Sequence, residues 1–272
     1  MPELPEVETT RRGLALHMQG RRIADVVVRN AALRWPIPRD FLRRATGCMV
    51  RAIDRRGKYL LFDCETGWII LHLGMSGSLQ MVPGSTAAGK HDHVDLVLDS
   101  GMVARFNDPR RFGAVLWNSG DPLRHRLLIG LAPEPLGAEF NAAWLHAHTR
   151  GRNAAIKSIV MDSHVVVGVG NIYASESLFR AGIHPAVAAG RLSLLRCEKL
   201  VAAIRETLLA AIEAGGSSLR NYVGAEGRPG NFQKNYFVYG RSGHPCLVCA
   251  TTIKISRQGQ RSTFFCPVCQ RR

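Results

Sequence analysis

The stretch 246–269, CLVCATTIKISRQGQRSTFFCPVC, decides how this chain ends and what must precede it. Two CxxC pairs, Cys246/Cys249 and Cys266/Cys269, stand sixteen residues apart. That is the spacing of a four-thiolate zinc site, because each CxxC turn can bring two sulfurs to one tetrahedral ion. The residues between alternate on either side of Gln258-Gly259-Gln260, the pattern of a β-hairpin. A redox dithiol would need one CxxC opening a helix, not two flanking a hairpin. With all four positions filled by sulfur, such a zinc shapes a small fold and does no chemistry. His244 lies nearby but is not needed as a ligand. Cys48, Cys64 and Cys197 are scattered and read as buried thiols.

Upstream of the hairpin the pattern is helical. Leu123–Leu131, Ala142–His148, Ala154–Met161, Ile172–Ala181 and Leu192–Ala214 carry apolar residues at helical spacing, and Gly215-Gly216 stops the last. Further upstream the period changes. Ile23–Val28, Tyr59–Cys64, Trp68–Leu73, Ser78–Val82, Val94–Leu98, Val103–Asn107 and Ala114–Trp117 read as strands separated by Gly, Pro and Asp clusters. That is a sandwich or barrel signal. Residues 5–18 read as an opening helix, with Pro5 and acidic residues in its first turns. The expected fold is α+β: an N-terminal helix and β-sandwich domain over 1–120, a helical domain over 121–235, and a zinc finger over 236–272.

Of 272 residues, 46% are apolar, which supports a sizeable core and excludes wholly disordered chains. The apolar runs are too short to cross a bilayer, and the acidic start MPELPEVE has no secretory h-region. A soluble, intracellular protein with no membrane partner is expected. Lys and Arg number 36 against 21 Asp and Glu, a net charge of +15, which points to a polyanion. From residue 227 onward there are eight basic residues and no acidic one, interleaved with Phe232, Tyr236, Phe237, Tyr239, Phe264 and Phe265.

At the other end, Met1 precedes Pro2, and methionine before a small residue is normally trimmed. Removal would leave a secondary amine, and α-amino groups titrate near ~8, so much of it is neutral at pH 7. A neutral amine can attack an electrophilic sugar carbon and form an iminium, with Glu3 beside it as general acid or base.

Several further segments are specific: MPELPEVE at 1–8, GKYL at 57–60, HLGMSG at 72–77, KHDH at 90–93, DPRRFG at 108–113 and GVGNIYASE at 168–176. Together with the terminal hairpin, and in this order along the whole chain, they resemble the formamidopyrimidine-DNA glycosylases. The resemblance implies a bacterial, cytoplasmic, nucleoid-associated repair enzyme that excises oxidised purines from duplex DNA and then cleaves abasic sites by β- and δ-elimination. It implies Pro2 as nucleophile, Glu3 as acid, Lys58 near the reacting sugar and phosphate, and Arg261 gripping the phosphates that flank the lesion. Met75, Arg110 and Phe112 would fill the hole left by the extruded base. His91, Arg152, Lys157 and Asn171 would contact the DNA backbone. Arg152 stands where relatives can carry lysine. Residues 162–171 would form a helix–two-turns–helix element, in which Gly168 and Gly170 let amides approach a phosphate. Glu176 reads as structural. The polar stretch 217–235 is a candidate to close over the extruded base. One-lesion chemistry needs only a monomer. The competing readings are an endonuclease VIII type acting on oxidised pyrimidines, disfavoured by Leu4 and by the KHDH and DPRRF segments, and a non-catalytic zinc-ribbon protein that only binds damage.

Overall fold

A helix can start at Leu4 because Pro5 falls in its first turn, where a missing N–H costs nothing. Glu3 and Glu6 close that end reciprocally as a capping box, the Glu3 N–H donating to Glu6 Oε2 at 2.8 Å. The helix, α1 (Leu4–Met18), buries Val7, Leu14 and Met18 on one face. It belongs to the first of two units in the computed structural model, which describes residues 1–218, 224–227 and 229–272. This unit contains residues 1–130 and 212–231; the second contains 131–211 and 232–272. Positions 219–223 and 228 of the candidate closing segment 217–235 therefore lie outside the described residues.

In the first unit α1 is followed by β1 (Ile23–Val28), α2 (Phe41–Ala45), β2 (Val50–Arg56), β3 (Tyr59–Cys64), β4 (Gly67–His72), β5 (Ser78–Pro83), β6 (Asp92–Leu98), β7 (Met102–Asn107) and β8 (Ala114–Asn118). They form two four-stranded antiparallel sheets, ordered β1-β6-β7-β5 and β2-β3-β4-β8. Ile23, Val26, Leu79, Leu96, Ala104 and Phe106 of one sheet and Ile53, Leu60, Phe62, Ile69, Leu71 and Val115 of the other share one core with α1. The sandwich expected from sequence is present. Strand β2 was not expected: its sequence, VRAIDRR, is mostly charged, and it survives as a sheet edge where only Val50 and Ile53 are buried. The helix expected over Leu123–Leu131 does not form. A single 3-10 turn, Pro122–Arg124, is capped by Asp121 and gives way to turns around His125, leaving Leu123 and Ile129 exposed.

In the second unit, α3 (Ala142–Thr149), α4 (Ile156–Val160), α5 (Asn171–Arg180) and α6 (Leu194–Glu213, whose last two residues fall in the first unit) match the remaining expected helices, with α4 shorter than expected. The hairpin β9 (Lys254–Gln258) and β10 (Arg261–Phe265) closes the chain. Cys48, Cys64 and Cys197 are buried free thiols.

Candidate active site

Pro2 is buried at the entry to α1, behind a half-exposed Met1, and Glu3 is buried as the helix N-cap. The first turns of α1 are tied to β2. The Glu8 carboxylate takes hydrogen bonds from Arg11, Arg12 and Arg55, and Arg11 also donates to the Ile53 carbonyl at 3.1 Å. Burial alone would raise the Glu8 carboxyl, but the Arg11 and Arg12 bonds and the charges of Arg11 and Arg55 hold it at about 2. Arg55 donates as well to the carbonyl of Gly57, the first residue of the turn that carries Lys58. Gly57 takes φ +57° in this two-residue hairpin loop, the conformation of a primed turn, so Lys58 stands half-buried at the tip between paired Arg56 and Tyr59.

His72 faces Tyr59 across β3 and β4, with ring centroids 4.7 Å apart. Its Nδ1 accepts the Gly74 N–H at 2.9 Å, so a neutral ring carries its proton on Nε2. Burial, then the nearby charges of Lys58 and Arg34, lower its pKa to about 4. A neutral N–H donor close to two cations is a ready contact for a phosphate oxygen. The sequence places this histidine within a motif but gives it no role; its pairing with Tyr59 becomes visible only in the register.

Met75 and Phe112 come together. Met75 sits in the loop from β4 to β5, closed by the Gly77 N–H on the Leu73 carbonyl at 2.9 Å. Phe112 sits in the loop from β7 to β8. Gly74 takes φ +68°, and a Cβ there would lie 2.6 Å from the Gly113 nitrogen, so the two loops touch through their backbones. The side chains are 42% and 37% exposed, and the Arg110 guanidinium lies 4.6 Å from the Phe112 ring centroid. Large apolar side chains left in solvent on adjoining loops need a partner. His91 starts the neighbouring segment, and its carbonyl accepts the Asp108 N–H at 3.0 Å.

In the second unit, α4, residues 161–170 and α5 make the helix–turn–turn–helix arrangement, with Val165–Val169 buried and Gly168 at φ +82°. Asp162 accepts the His164 N–H, and Arg152, half-exposed, approaches the same carboxylate at 4.0 Å. Asn171 opens α5 and donates from Nδ2 to the Ser262 carbonyl at 3.1 Å. Lys157 is 2% exposed, and its ammonium donates to that same carbonyl at 3.1 Å and to Thr263 Oγ1 at 2.8 Å. It grips β10 from inside. Arg261 stands exposed at the start of β10 with its guanidinium against Met161 Sδ at 3.7 Å. A cleft of about 340 Å³ is lined by Lys157, Ser158, Met161 and residues 258–261. Glu176, fully buried, accepts the N–H groups of Phe237, Val238 and Tyr239 at 2.8–3.0 Å. Burial raises its pKa, and those three donors counter the rise.

The sulfurs of Cys246, Cys249, Cys266 and Cys269 all lie within 4.8 Å of one another. The Val248 N–H points at Cys246 Sγ and the Cys269 N–H at Cys266 Sγ, at 3.5 and 3.4 Å. Amide donors on the sulfurs suit thiolates bound to a metal. Burial, then the other sulfurs, push the Cys269 thiol up, so four thiolates in this space call for a cation. The donor set fits one structural zinc ion.

Comparison with known proteins agrees with this geometry. Residues 1–115 match the formamidopyrimidine-DNA glycosylase N-terminal domain, 131–223 the H2TH domain of the same proteins, and 243–272 a zinc finger found in FPG and IleRS. The chain belongs to the formamidopyrimidine-DNA glycosylase family. It is 57% identical to the formamidopyrimidine-DNA glycosylase of Cupriavidus pinatubonensis, across 99% of this chain and 100% of that protein. The crystal structure of the MutM (Fpg) protein from Thermus thermophilus is 37% identical, with TM-score 0.89 over 99% of this chain and 98% of that one. Lactococcus lactis Fpg, solved with an oxidised pyrimidine containing DNA, is 33% identical with TM-score 0.91, covering 100% of both chains.

Proposed function

We propose that this chain is a DNA glycosylase and abasic-site lyase that removes oxidised purines from duplex DNA. The observation that carries the reading is the mounting of Pro2. It enters α1 beside the capping Glu3, and Glu8 and Arg55 tie that helix start to the turn holding Lys58. Once Met1 is removed, the Pro2 nitrogen attacks the sugar C1′ of the damaged nucleotide. The C1′–N bond breaks, the base leaves with its electron pair, and a proton from an acid neutralises it. The attached amine loses its proton, and its lone pair then expels the ring oxygen to give a cationic iminium at C1′. Glu3 donates to the ring oxygen as the sugar opens. The iminium acidifies the C2′ protons, so elimination expels the 3′ phosphate and a second elimination expels the 5′ phosphate. Hydrolysis then returns the Pro2 amine.

Lys58 and the His72 Nε2–H meet phosphate oxygens at this centre, one as a charge and one as a neutral donor. Met75, Arg110 and Phe112 occupy the space vacated by the extruded base, with Arg110 bonding the orphaned partner. In the second unit Asn171, Arg152 and Arg261 bind backbone phosphates, while Lys157 acts by holding β10. His91 adds a further backbone contact. The zinc ion supplies no chemistry; it fixes the hairpin that presents Arg261.

Borohydride reduction of protein mixed with a duplex holding one 8-oxoguanine opposite cytosine tests the reading. Trapped adduct mapping to Pro2 is expected, with strongly reduced adduct from Pro2→Gly and none from protein retaining Met1. A relative has been solved with an oxidised pyrimidine, so a 5-hydroxycytosine duplex belongs beside it. Adduct formed mainly there would move the protein to pyrimidine repair. Binding with no adduct on either duplex would leave only a damage-binding protein.

A further inference from the structure

We infer that Asp108 is a positioning residue for base extrusion: it locks the loop bearing Met75 to the loop bearing Arg110 and Phe112, so that both enter the duplex as one rigid wedge. The inference rests on the glycosylase reading above. Both loops do the same topological work. The first carries the chain from β4 in one sheet to β5 in the other, and the second carries it back from β7 to β8. No strand pairing holds either loop, so another bond must fix them together.

Asp108 supplies that bond. The residue is completely buried, and its carboxylate serves both loops: Oδ1 accepts from the Ser76 hydroxyl at 3.0 Å and Oδ2 from the Gly113 N–H at 2.8 Å. Its backbone is fixed on the other side. The carbonyl meets His93 Nε2 at 2.9 Å and accepts the Arg111 N–H at 3.1 Å, and the N–H donates to the His91 carbonyl. Arg111 takes φ +56°, so the loop is bent into a conformation that few side chains adopt. Ser76 and Gly113 each stand one residue beyond a wedge side chain, Met75 or Phe112. Bonds to a buried carboxylate are among the stronger ones available to a protein. Without them, the push of a wedge against stacked bases would be absorbed by loop motion, and binding energy would go into ordering the loops.

A carboxamide at 108 keeps the shape but removes the charge, and with its oxygen on the Gly113 N–H its Nδ2 must donate to the Ser76 hydroxyl, so Asp108→Asn weakens both links. Two substrates separate positioning from mere folding. One duplex carries 8-oxoguanine, which must be extruded; the other carries a preformed abasic site, with no base to move. Single-turnover base release from the first is expected to fall about tenfold in Asp108→Asn, which is ~1.4 kcal/mol of barrier. Borohydride trapping on the second is expected to stay within about twofold, below ~0.5 kcal/mol. A 2-aminopurine next to the orphaned base should lose part of the fluorescence rise that unstacking gives in the wild type. Ser76→Ala, which removes only the link to the Met75 loop, should shift the same ratio in the same direction by a smaller factor. Equal losses on both substrates, or no loss on either, would overturn the assignment. If the melting temperature shows that Asp108→Asn does not fold, the Ser76→Ala ratio decides alone, and an unchanged ratio rejects the proposal. Wild-type protein that traps neither duplex would instead sink the glycosylase reading, and this inference with it.

Discussion

Histidine 72 shows how much a single side chain owes to its neighbours. Its letter gives no charge state, whereas burial, then the charges of Lys58 and Arg34, make it a neutral donor. Its folded pKa of about 4 lies below the ordinary value of 6.5. The unfolded chain therefore binds the proton first as pH falls. The stabilisation is present above pH 6.5 and is lost as pH drops through the interval toward 4. Urea unfolding across that interval should show the wild type taking up about one more proton on unfolding than His72→Gln. Duplex affinity should gain nothing from protonation of this ring near pH 6.5, because its donor is already in place. Lys157 teaches the same lesson from the opposite side. A lysine in a basic chain reads as a phosphate contact; this one is buried and donates to the Ser262 carbonyl and the Thr263 hydroxyl. Arg261→Ala should lower the slope of log affinity against log salt by about one, whereas Lys157→Met should leave that slope nearly unchanged while weakening binding. Matching slope changes in the two variants would place Lys157 on the DNA.

Elements whose residues alternate or recur at helical spacing were legible in the sequence, because one face of each is buried. The β-strands of the sandwich core, α3 and α5 are of this kind. Strand β2 was hidden by its charges, one of which has a partner elsewhere: Arg55 bonds Glu8, which ties the strand to α1. The stretch 123–131 looked helical because its leucines are suitably spaced, but Asp121 and His125 bond nearby amides and favour turns instead. The exposure of Met75 and Phe112 was readable because both stand among glycines and arginines, where an apolar core residue has little reason to be. The joining of two loops by Asp108 was not, because Ser76 comes from a different part of the chain. The link between α1 and β2 is testable as an element. Glu8→Gln leaves three arginines around a neutral group, and a loss of about 1–2 kcal/mol is expected in denaturant unfolding at pH 7. The deficit should shrink as pH is lowered from 4.5 toward 2, where the wild-type carboxylate itself becomes protonated.

At the scale of the whole molecule, net charge and metal set the terms. A charge of +15 accounts for attraction to a polyanion but selects no lesion. The zinc finger gives that charge a shape, since its short strands have only a small apolar cluster around Phe179, Val238 and Ile253 to rest on. Chelation should release about one zinc per chain and expose four additional thiols to a thiol reagent, with duplex binding lost in parallel. Retained binding after complete zinc release would show that the hairpin is not needed to present Arg261.

The first unit is not one continuous piece of chain: residues 212–231 return to it after most of the second unit has been built. Ser217 comes back to a specific acceptor, the Glu6 carboxylate, whose other oxygen holds the helix start at Glu3. During synthesis the N-terminal helix must therefore wait for more than two hundred further residues to emerge before its last contacts can form. A gene cut after residue 130 would yield a sandwich lacking this returning segment, and a single crossover there would set the sandwich of one relative against the returning segment of another.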